Sequence, residues 1–322
     1  MNTLFSSAVD WGLNLFDSVH LWLFETLVQP AMFVLGASVH LEDAFDATMW
    51  LLIGALELTF LLVVIGALQR WRPVEAVTDR LAVRVDVIYT LIHRLGLFRL
   101  GLFFGLLPII EWTKGLLHVQ GWVVPPVDQV WPGVTDVAWV SLLIYLLVFD
   151  LMDYGYHRAQ HRFARFWALH AVHHSQRQMT MWSDNRNHLL DDVLRSLVIV
   201  VVSFVLGVPP EQFVMVVVIT QLLESFSHAN VRMSFGRWFE RVLVSPKYHR
   251  HHHYIGADAA IGGYNFAVLF PVWDILFGTA RFDGHYGPTG VHDQSHVSAY
   301  GQGFWAQQRL GLLRFLGVQK VV

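Results

Sequence analysis

The sequence predicts an all-α fold built as a multi-pass bundle of transmembrane helices. Of its 322 residues, 54% are hydrophobic and only 15% are charged, whereas soluble domains average about 45–50% apolar and about 25% charged residues. The apolar residues gather in runs, such as 49–68, that approach the roughly 20 residues needed to cross a bilayer. These observations exclude an ordinary soluble enzyme.

Each predicted membrane segment follows from such a run. The candidate spans are 19–38, 49–68, 96–117, 137–153, 196–208 and 211–228. Pro209 and Pro210 predict a sharp turn between the last two spans. The first seventeen residues contain Asp10 and Asp17 but no Lys or Arg, so we expect no cleaved signal peptide. The apolar stretch 264–278 is interrupted by proline and aspartate, and we expect it to lie in the membrane interface.

The basic residues predict which side of the membrane each loop occupies. Seventeen of the 22 Lys and Arg residues lie in 69–99, 153–195 and 229–260. The positive-inside rule places these three segments together on the cytoplasmic face, which in a bacterium is that of the inner membrane. The charge pattern leaves the topology of residues 1–48 open. Because the sequence has no internal repeat and no flexible linker, we expect a single integral-membrane domain over 1–322.

Histidine is unusually frequent, with 18 residues, and eleven of them lie between positions 157 and 253. His157 and His161 are spaced i, i+4, which places both on one face of a helix. Two further clusters share the spacing i, i+3, i+4, and they are His170, His173 and His174, and then His249, His252 and His253. Single histidines occur at His188 and His228. The clusters lie in the segments predicted to be cytoplasmic.

These clusters are typical of a transition-metal site. Neutral imidazole is a common ligand of zinc, copper, iron and nickel, and the chain has no cysteine to supply thiolates. Eight clustered histidines exceed what one ion can use, so the pattern predicts a His-rich site for two metal ions on the cytoplasmic face. A metal transporter or a bis-histidine haem protein would instead place its ligands within the spans. No HExxH motif of a zinc protease is present, and a net charge of −3 gives no field for nucleic acid.

Two carboxylates are spaced to support predicted ligands. Asp153 precedes His157 by four residues, and Glu224 precedes His228 by four residues. On a helix, each carboxylate could accept the far ring N–H of its histidine and so fix the tautomer that binds metal. A polar residue at the end of a span is the alternative interpretation of both.

Other polar residues near the clusters are predicted to serve different roles. Asp191 and Asp192 could orient His188 or cap the helix that follows. His251 is offset by two residues from His249, so its side chain should turn away from the ligand face. The polar, Gly-rich tail contains three more histidines that we expect to be exposed, and they are His285, His292 and His296.

Three motifs resemble the fatty acid hydroxylase and sterol desaturase superfamily of integral-membrane di-iron enzymes. They are HRAQH at 157–161, HAVHH at 170–174 and SPKYHRHHH at 245–253, with NRNH and SHAN between them and GGYNFA shortly after. The resemblance covers about 135–280, the predicted catalytic region. It does not cover 1–130, which are predicted to supply N-terminal spans without an assigned role.

The resemblance implies which residues form the site. As catalytic metal ligands it assigns His157, His161, His170, His173, His174, His249, His252 and His253. His228 and His188 are added to the predicted metal ligands, although Leu189 and Leu190 depart from the proline and acidic residue that family members often have after the latter. The implied cofactor is two iron ions, with dioxygen as cosubstrate. Zinc has no redox chemistry of its own, and zinc can replace iron in purified protein without being the working metal.

The resemblance also implies the reaction and its partners. The enzyme would be an oxidoreductase that uses dioxygen and external electrons to hydroxylate an unactivated C–H bond of a fatty acyl chain, a sterol or a related lipid. The implied partners are that membrane lipid, the bilayer and a separate reductase, ferredoxin or cytochrome, with no nucleic acid. A lipid or sterol desaturase on the same site and a membrane metal transporter are the alternatives. Trp167, Trp182 and Trp238 could line an acyl pocket or anchor at the interface.

Overall fold

The computed structural model describes residues 2–98, 112–113, 115–121, 126–256 and 263–319. Within these residues the chain forms helices joined by turns and loops, with one isolated β-bridge between Tyr254 and Thr289. The predicted all-helical fold class is therefore confirmed. The chain divides into two compact units, one formed by 1–59 with 92–107 and the other by 60–91 with 108–322. All of the predicted metal ligands belong to the second unit.

The first unit is built mainly from the N-terminal helices. They are α1 (Asn2–Leu23), which continues through a π-helical turn (Phe24–Val28) into α2 (Gln29–Val34), and α3 (Leu41–Phe60). The rings of Phe24 and Phe45 pack edge to face with their centroids 5.0 Å apart. A buried ion pair joins Glu57 to Arg94, with an N···O distance of 2.9 Å. Pairing of the two charges is what makes their burial tolerable.

Among the residues that the structure describes, two helical segments are long and apolar enough to cross a membrane, judged by length and composition. They are Ser38–Trp71 and Ala138–Arg162. The first contains the predicted span 49–68, and the second contains the predicted span 137–153 except for its first residue. The predicted span 19–38 runs past the helix end at Val34. The predicted span 96–117 lies mostly outside the described residues.

Further helices follow α3 in chain order, after a π-helical turn at Leu61–Ile65. They are α4 (Gly66–Trp71), α5 (Arg80–Arg94), α6 (Ala138–Arg162), α7 (Ala164–His174), α8 (Leu189–Leu206), α9 (Pro210–His228), α10 (Gly236–Phe239), α11 (Pro246–His252), α12 (Val272–Leu276) and α13 (Phe304–Phe315). The predicted turn between 196–208 and 211–228 is present. Gly207 ends α8 with φ 59°, a left-handed conformation that suits glycine, and Pro210 begins α9.

An apolar core holds the second unit together around α6. Tyr145, Leu146 and Phe149 of α6 pack with Val216 of α9 and with Leu269. All five are buried, and at about 25 cal/mol per Å² of buried apolar surface such contacts are the main favourable contribution to folding. This core fixes α6 and α9, whose carboxyl-terminal ends carry predicted ligands.

A second packing contact covers α7. Ala171 of α7 packs with Leu310 of α13 and with Tyr300 and Val291 from the intervening segment. The C-terminal helix α13 therefore lies against the helix that carries the HAVHH motif.

Candidate metal centre

Nine histidines converge in two groups. The first group contains His157, His161, His170, His174 and His252, and the second contains His173, His228, His249 and His253. Within each group, one ring nitrogen from every member lies within 4.8 Å of the corresponding nitrogens of the others. All are buried except His161, which is partly exposed. The structure thus brings together all eight histidines of the three motifs and adds His228.

The helical spacing distributes the histidines between the groups. On α7, His170 and His174 face the first group and His173 faces the second. On α11 and its C-cap, the order is reversed, because His252 joins the first group while His249 and His253 join the second. Each HxxHH motif therefore contributes to both groups.

Backbone carbonyls fix the tautomers of three of these histidines. The Nδ1–H groups of His157 and His252 donate to the carbonyls of Phe266 and Tyr264, each at 2.8 Å. His228 donates from Nδ1 to the carbonyl of Glu224 at 2.8 Å. A neutral imidazole that donates from Nδ1 carries its lone pair on Nε2. In all three residues Nε2 is therefore the atom able to bind a metal.

The spacing of the ring nitrogens fits metal binding. In the second group, Nε2 of His228 lies 3.1 Å from Nε2 of His173 and 2.9 Å from Nε2 of His249. In the first group, Nε2 of His174 lies 3.1 Å from the Nε2 atoms of both His161 and His252. Two nitrogens bound to one transition metal at about 2.1 Å lie about 3.0–3.4 Å apart for bond angles between octahedral and tetrahedral values.

Buried ring nitrogens without a hydrogen-bond partner give a second test of whether the site fits metal ions. Nε2 of His157 and both ring nitrogens of His170 are buried and have no hydrogen-bond partner among the described residues. Buried polar atoms normally have a partner, because leaving one unsatisfied costs about 1–3 kcal/mol. The residues present fit two transition-metal ions, the first in an all-nitrogen set of up to five ligands and the second in a set of four.

Burial keeps the clustered imidazoles in the form that binds metal. Six of them lie outside the candidate membrane segments, and they are His170, His173, His174, His249, His252 and His253. Burial first, and repulsion from neighbouring imidazoles second, lowers the pKa of these six side chains well below the usual value of 6.5. They are therefore neutral at pH 7 and can bind a cation without first losing a proton.

The segment 264–270, which sequence reasoning did not single out as part of the site, supplies two of the fixing carbonyls. Asn265 adopts φ 59°, and its side chain is held by the backbone of Tyr248 and Arg281. Asp274 accepts the N–H groups of Phe266 and Ala267 at 2.9 and 2.8 Å. The only sequence signal for this segment is the GGYNFA motif noted in the resemblance.

The two carboxylates predicted to support ligands have a different partner. Arg195 donates two hydrogen bonds of 2.7 Å to the carboxylate of Asp153 and lies 3.5 Å from that of Glu224. The ring N–H groups of His157 and His228 go to backbone carbonyls instead. The expected carboxylate–histidine pairs are therefore wrong, because a guanidinium from α8 offers both carboxylates a stronger, charged donor.

His188 is placed apart from both groups. Its Nδ1 accepts the N–H of Leu190 at 3.1 Å, and its Nε2–H donates to the carbonyl of Gln308 at 2.7 Å. Both ring nitrogens are thus occupied in capping α8 and in holding α13. Asp191 does not orient His188. It accepts hydrogen bonds from Tyr156 at 2.7 Å and Gln160 at 2.6 Å, and its carboxylate lies 3.7 Å from Nδ1 of His170.

The other histidines lie outside the two groups as well. His251 points away from them, and its Nε2 forms a hydrogen bond with the hydroxyl of Tyr264 at 3.1 Å. The expected exposure of the tail is confirmed for His285, His292 and His296.

Two small cavities border the histidine groups. One, of about 70 Å³, touches both groups, and its other lining residues are mostly polar, with Asp191, Asp184 and Tyr156 among them. The other, of about 50 Å³, touches only the first group and is lined by Trp167 and Tyr254 among other residues. Trp238, by contrast, is 72% exposed. The first group therefore has a polar side and an aromatic side.

Comparison with known proteins identifies the domain that carries these histidines. Residues 142–279 match the family model described as fatty acid hydroxylase. This segment is similar to fatty acid hydroxylase domains, and it covers less than half of the chain. The match lies within the predicted catalytic region 135–280 and includes every residue of the two histidine groups. The resemblance found in the sequence is thereby confirmed.

Individual relatives of the hydroxylase domain come from several organisms. An ornithine lipid hydroxylase of Rhizobium tropici is 27% identical over 46% of this chain and 44% of its own length. An alkylglycerol monooxygenase of Danio rerio is 30% identical over 45% of this chain and 31% of its own length. A Delta(7)-sterol 5(6)-desaturase of Gibberella zeae is 26% identical over 35% of each chain. The chain thus spans less than half the length of these relatives, and no solved structure matches it.

Proposed function

We propose that this protein is a membrane-bound di-iron oxygenase that hydroxylates an unactivated C–H bond of a lipid. The observation that carries the proposal is the pair of histidine groups, one of five and one of four residues, inside a fatty acid hydroxylase domain. The names of the relatives make ornithine lipids, alkylglycerols and sterols candidate substrates.

The choice of iron follows from the target bond. A methylene group offers no acidic proton and no leaving group, so general acid–base or nucleophilic machinery has nothing to act on. Bound iron would supply the redox chemistry with dioxygen that protein side chains lack. In the net reaction, one oxygen atom enters the C–H bond and the other leaves as water, with two electrons and two protons consumed. The electrons come from a separate reductase, ferredoxin or cytochrome.

The residues of this chain have distinct tasks in that reaction. The nine histidines hold the two ions, and the carbonyls of Phe266 and Tyr264 keep two of the imidazoles in the binding tautomer. Trp167 and Tyr254 line the aromatic cavity beside the first group, where an alkyl chain displaces water favourably. The cavity that touches both groups, with Asp191 in its lining, has room for water.

The site belongs on the cytoplasmic side of the membrane, in a bacterium the inner membrane. The support is the concentration of Lys and Arg in the segments that also carry the clusters. The chain has no cysteine, so a single cysteine at Arg241 should react with an impermeant maleimide only from the cytoplasmic side. A cysteine at Gln129 should react only from the other side, and labelling of both from one side contradicts the topology.

A desaturase on the same site is the second candidate, favoured by the sterol desaturase among the relatives. Desaturation removes two hydrogens from neighbouring carbons, and both oxygen atoms then leave as water. The two reactions consume the same dioxygen and electrons, so only the product distinguishes them.

The test is mass spectrometry of the whole lipid pool after reaction in labelled dioxygen. Purified iron-loaded protein, a reductant and an electron donor should yield a lipid heavier by one oxygen atom, with that atom derived from dioxygen. The His173→Ala variant should give no product, whereas the exposed-residue control His285→Ala should keep most activity. A product lighter by two hydrogens assigns desaturation. Oxygen derived from labelled water refutes the oxidative mechanism.

A further inference from the structure

A third cavity, of about 410 Å³, lies outside the histidine groups and is much larger than the two beside them. Its walls come from the end of the helical segment Ser38–Trp71, from loop 73–77 and from residues 180–182. We propose that this cleft binds the anionic head group of the lipid substrate, a phosphate or a carboxylate, together with the first part of its chain. The proposal rests on the proposed function, since it names the class of lipid that the site accepts.

The lining of the cleft changes from apolar to polar along the helical segment Ser38–Trp71. Leu62 lines one end and is 53% exposed on the apolar segment, and Met181 lies in the same lining. Arg70 and Glu75 line the other end. From Leu62 to Arg70 is eight residues, or at most about 12 Å at the α-helical rise of 1.5 Å per residue, because Leu61–Ile65 form a π-helical turn with a smaller rise. This gradient matches a lipid lying with its chain toward Leu62 and its head group toward Arg70.

The charges at the polar end favour an anion. Glu75 is neutralised by Arg250, at an N···O distance of 2.6 Å. Arg70 forms no ion pair among the described residues, so its charge is the uncompensated one in the lining. A guanidinium presents donors in a planar fork that fits the oxygens of a phosphate or a carboxylate. The polar end therefore complements an anionic head group rather than a cationic one.

Hydrogen bonds hold the walls in place before any ligand binds. Oε1 of Gln69 accepts the N–H groups of Met181 at 3.0 Å and of Asn230 at 2.8 Å. Oδ1 of Asn230 in turn accepts the N–H groups of Val74 and Glu75 at 3.1 and 3.2 Å. All three walls are thus tied together through two amide side chains. A preformed cleft avoids the ordering cost of assembling one around the ligand.

The residues that hold the walls of the cleft are close in sequence to ligands of the metal centre. Asn230 follows His228 by two residues, and Arg250, the partner of Glu75, is adjacent to His249. Both histidines belong to the second group. The loop at the polar end of the cleft is therefore held by the same two segments that deliver ligands.

Photo-crosslinking tests the cleft without requiring turnover. The probe is a phosphatidylglycerol with a diazirine near its glycerol, irradiated with the purified protein in neutral detergent, and crosslinked peptides are identified by mass spectrometry. We expect labelling of 73–77 and 180–182. Arg70→Gln should raise the half-saturating concentration about tenfold, which corresponds to about 1.4 kcal/mol. The control Arg309→Gln, an exposed arginine on α13 that does not line the cleft, should match the wild type.

Competitors separate the possible sources of the anion. An N-acylglycine supplies a carboxylate on a chain, unlabelled phosphatidylglycerol supplies a phosphate on a chain, and inorganic phosphate supplies the anion alone. Displacement by either lipid, at concentrations where inorganic phosphate has no effect, supports the proposal and shows which head group is preferred. Equal displacement by inorganic phosphate overturns it, as does unchanged labelling of Arg70→Gln. If the cleft is labelled but no lipid is oxidised, the proposed function fails while the lipid site stands.

Discussion

Replacing His228 or His188 by alanine should separate metal binding from helix capping. Both residues are predicted as metal ligands in the sequence analysis, but only His228 lies in a histidine group. Its Nε2 is 2.9 Å from that of His249, whereas both nitrogens of His188 are hydrogen-bonded to the backbone of Leu190 and Gln308. The two substitutions remove the same side chain from different settings.

The expected magnitudes differ accordingly. Structural zinc sites with four ligands bind their metal with about 10–16 kcal/mol, so one ligand of four is worth about 3–4 kcal/mol, or about 100–1,000-fold in affinity. We expect His228→Ala to lose the ion of the second group under a competing chelator. For His188→Ala, loss of the helix cap costs about 1 kcal/mol and loss of the hydrogen bond to Gln308 about 1 kcal/mol more. That variant should unfold more easily while keeping both ions.

Two measurements on each purified variant distinguish these outcomes. Elemental analysis after dialysis against a chelator should give about two ions per chain for wild type and His188→Ala, and about one for His228→Ala. Thermal unfolding should show a lower midpoint for His188→Ala than for wild type at equal metal content. Loss of an ion in His188→Ala, with both retained in His228→Ala, would refute the assignment of residues to the groups.

Two further predictions concern the segment 264–270 and the pH dependence of stability. Asn265→Ala should lower metal occupancy and stability more than Asn265→Gly. Both variants lose the side-chain hydrogen bonds, but only alanine also strains the φ of 59°, by about 1–3 kcal/mol; equal losses in elemental analysis and chemical unfolding would contradict this. The metal-free protein should lose stability as pH falls below about 6.5, since the unfolded chain then binds protons that the buried histidines of α7 and α11 exclude through their lowered pKa values. Each such histidine contributes up to about 1.4 kcal/mol per pH unit, and a flat unfolding profile between pH 5 and 7.5 would count against their burial in the neutral form.

The helical clusters could be predicted from the sequence because their geometry is local. Spacings of three and four residues place side chains on one face of any α-helix, whatever the rest of the fold does. The turn at Pro209 and Pro210 was equally predictable, because proline restricts the backbone of its own and the preceding residue. The HAVHH and HRHHH motifs are helical as expected, on α7 and α11.

The partners of the histidines could not be predicted in the same way. The spacing of Asp153 and His157 allowed a hydrogen bond within α6, but it carried no information about Arg195, which approaches from α8. Likewise, Phe266 is 109 residues from the histidine whose Nδ1–H it accepts. Contacts at such separations depend on how the helices pack, and helical periodicity is silent about packing partners.

The position of α7 and α11 between the two histidine groups explains why the HxxHH motif has three histidines rather than two. At about 100° per residue, positions i and i+4 differ by about 40°, so they share one group, while position i+3 turns about 60° the other way. His170 and His174 accordingly face the first group and His173 the second. A helix can divide its ligands like this only if it lies between two centres. On α11 the pair at i and i+4, His249 and His253, belongs to the second group, and His252 belongs to the first. Each helix therefore gives two ligands to one centre and one ligand to the other. The directions of the side chains therefore support two ions independently of the number of histidines, and rotation of either helix would disturb both sites at once.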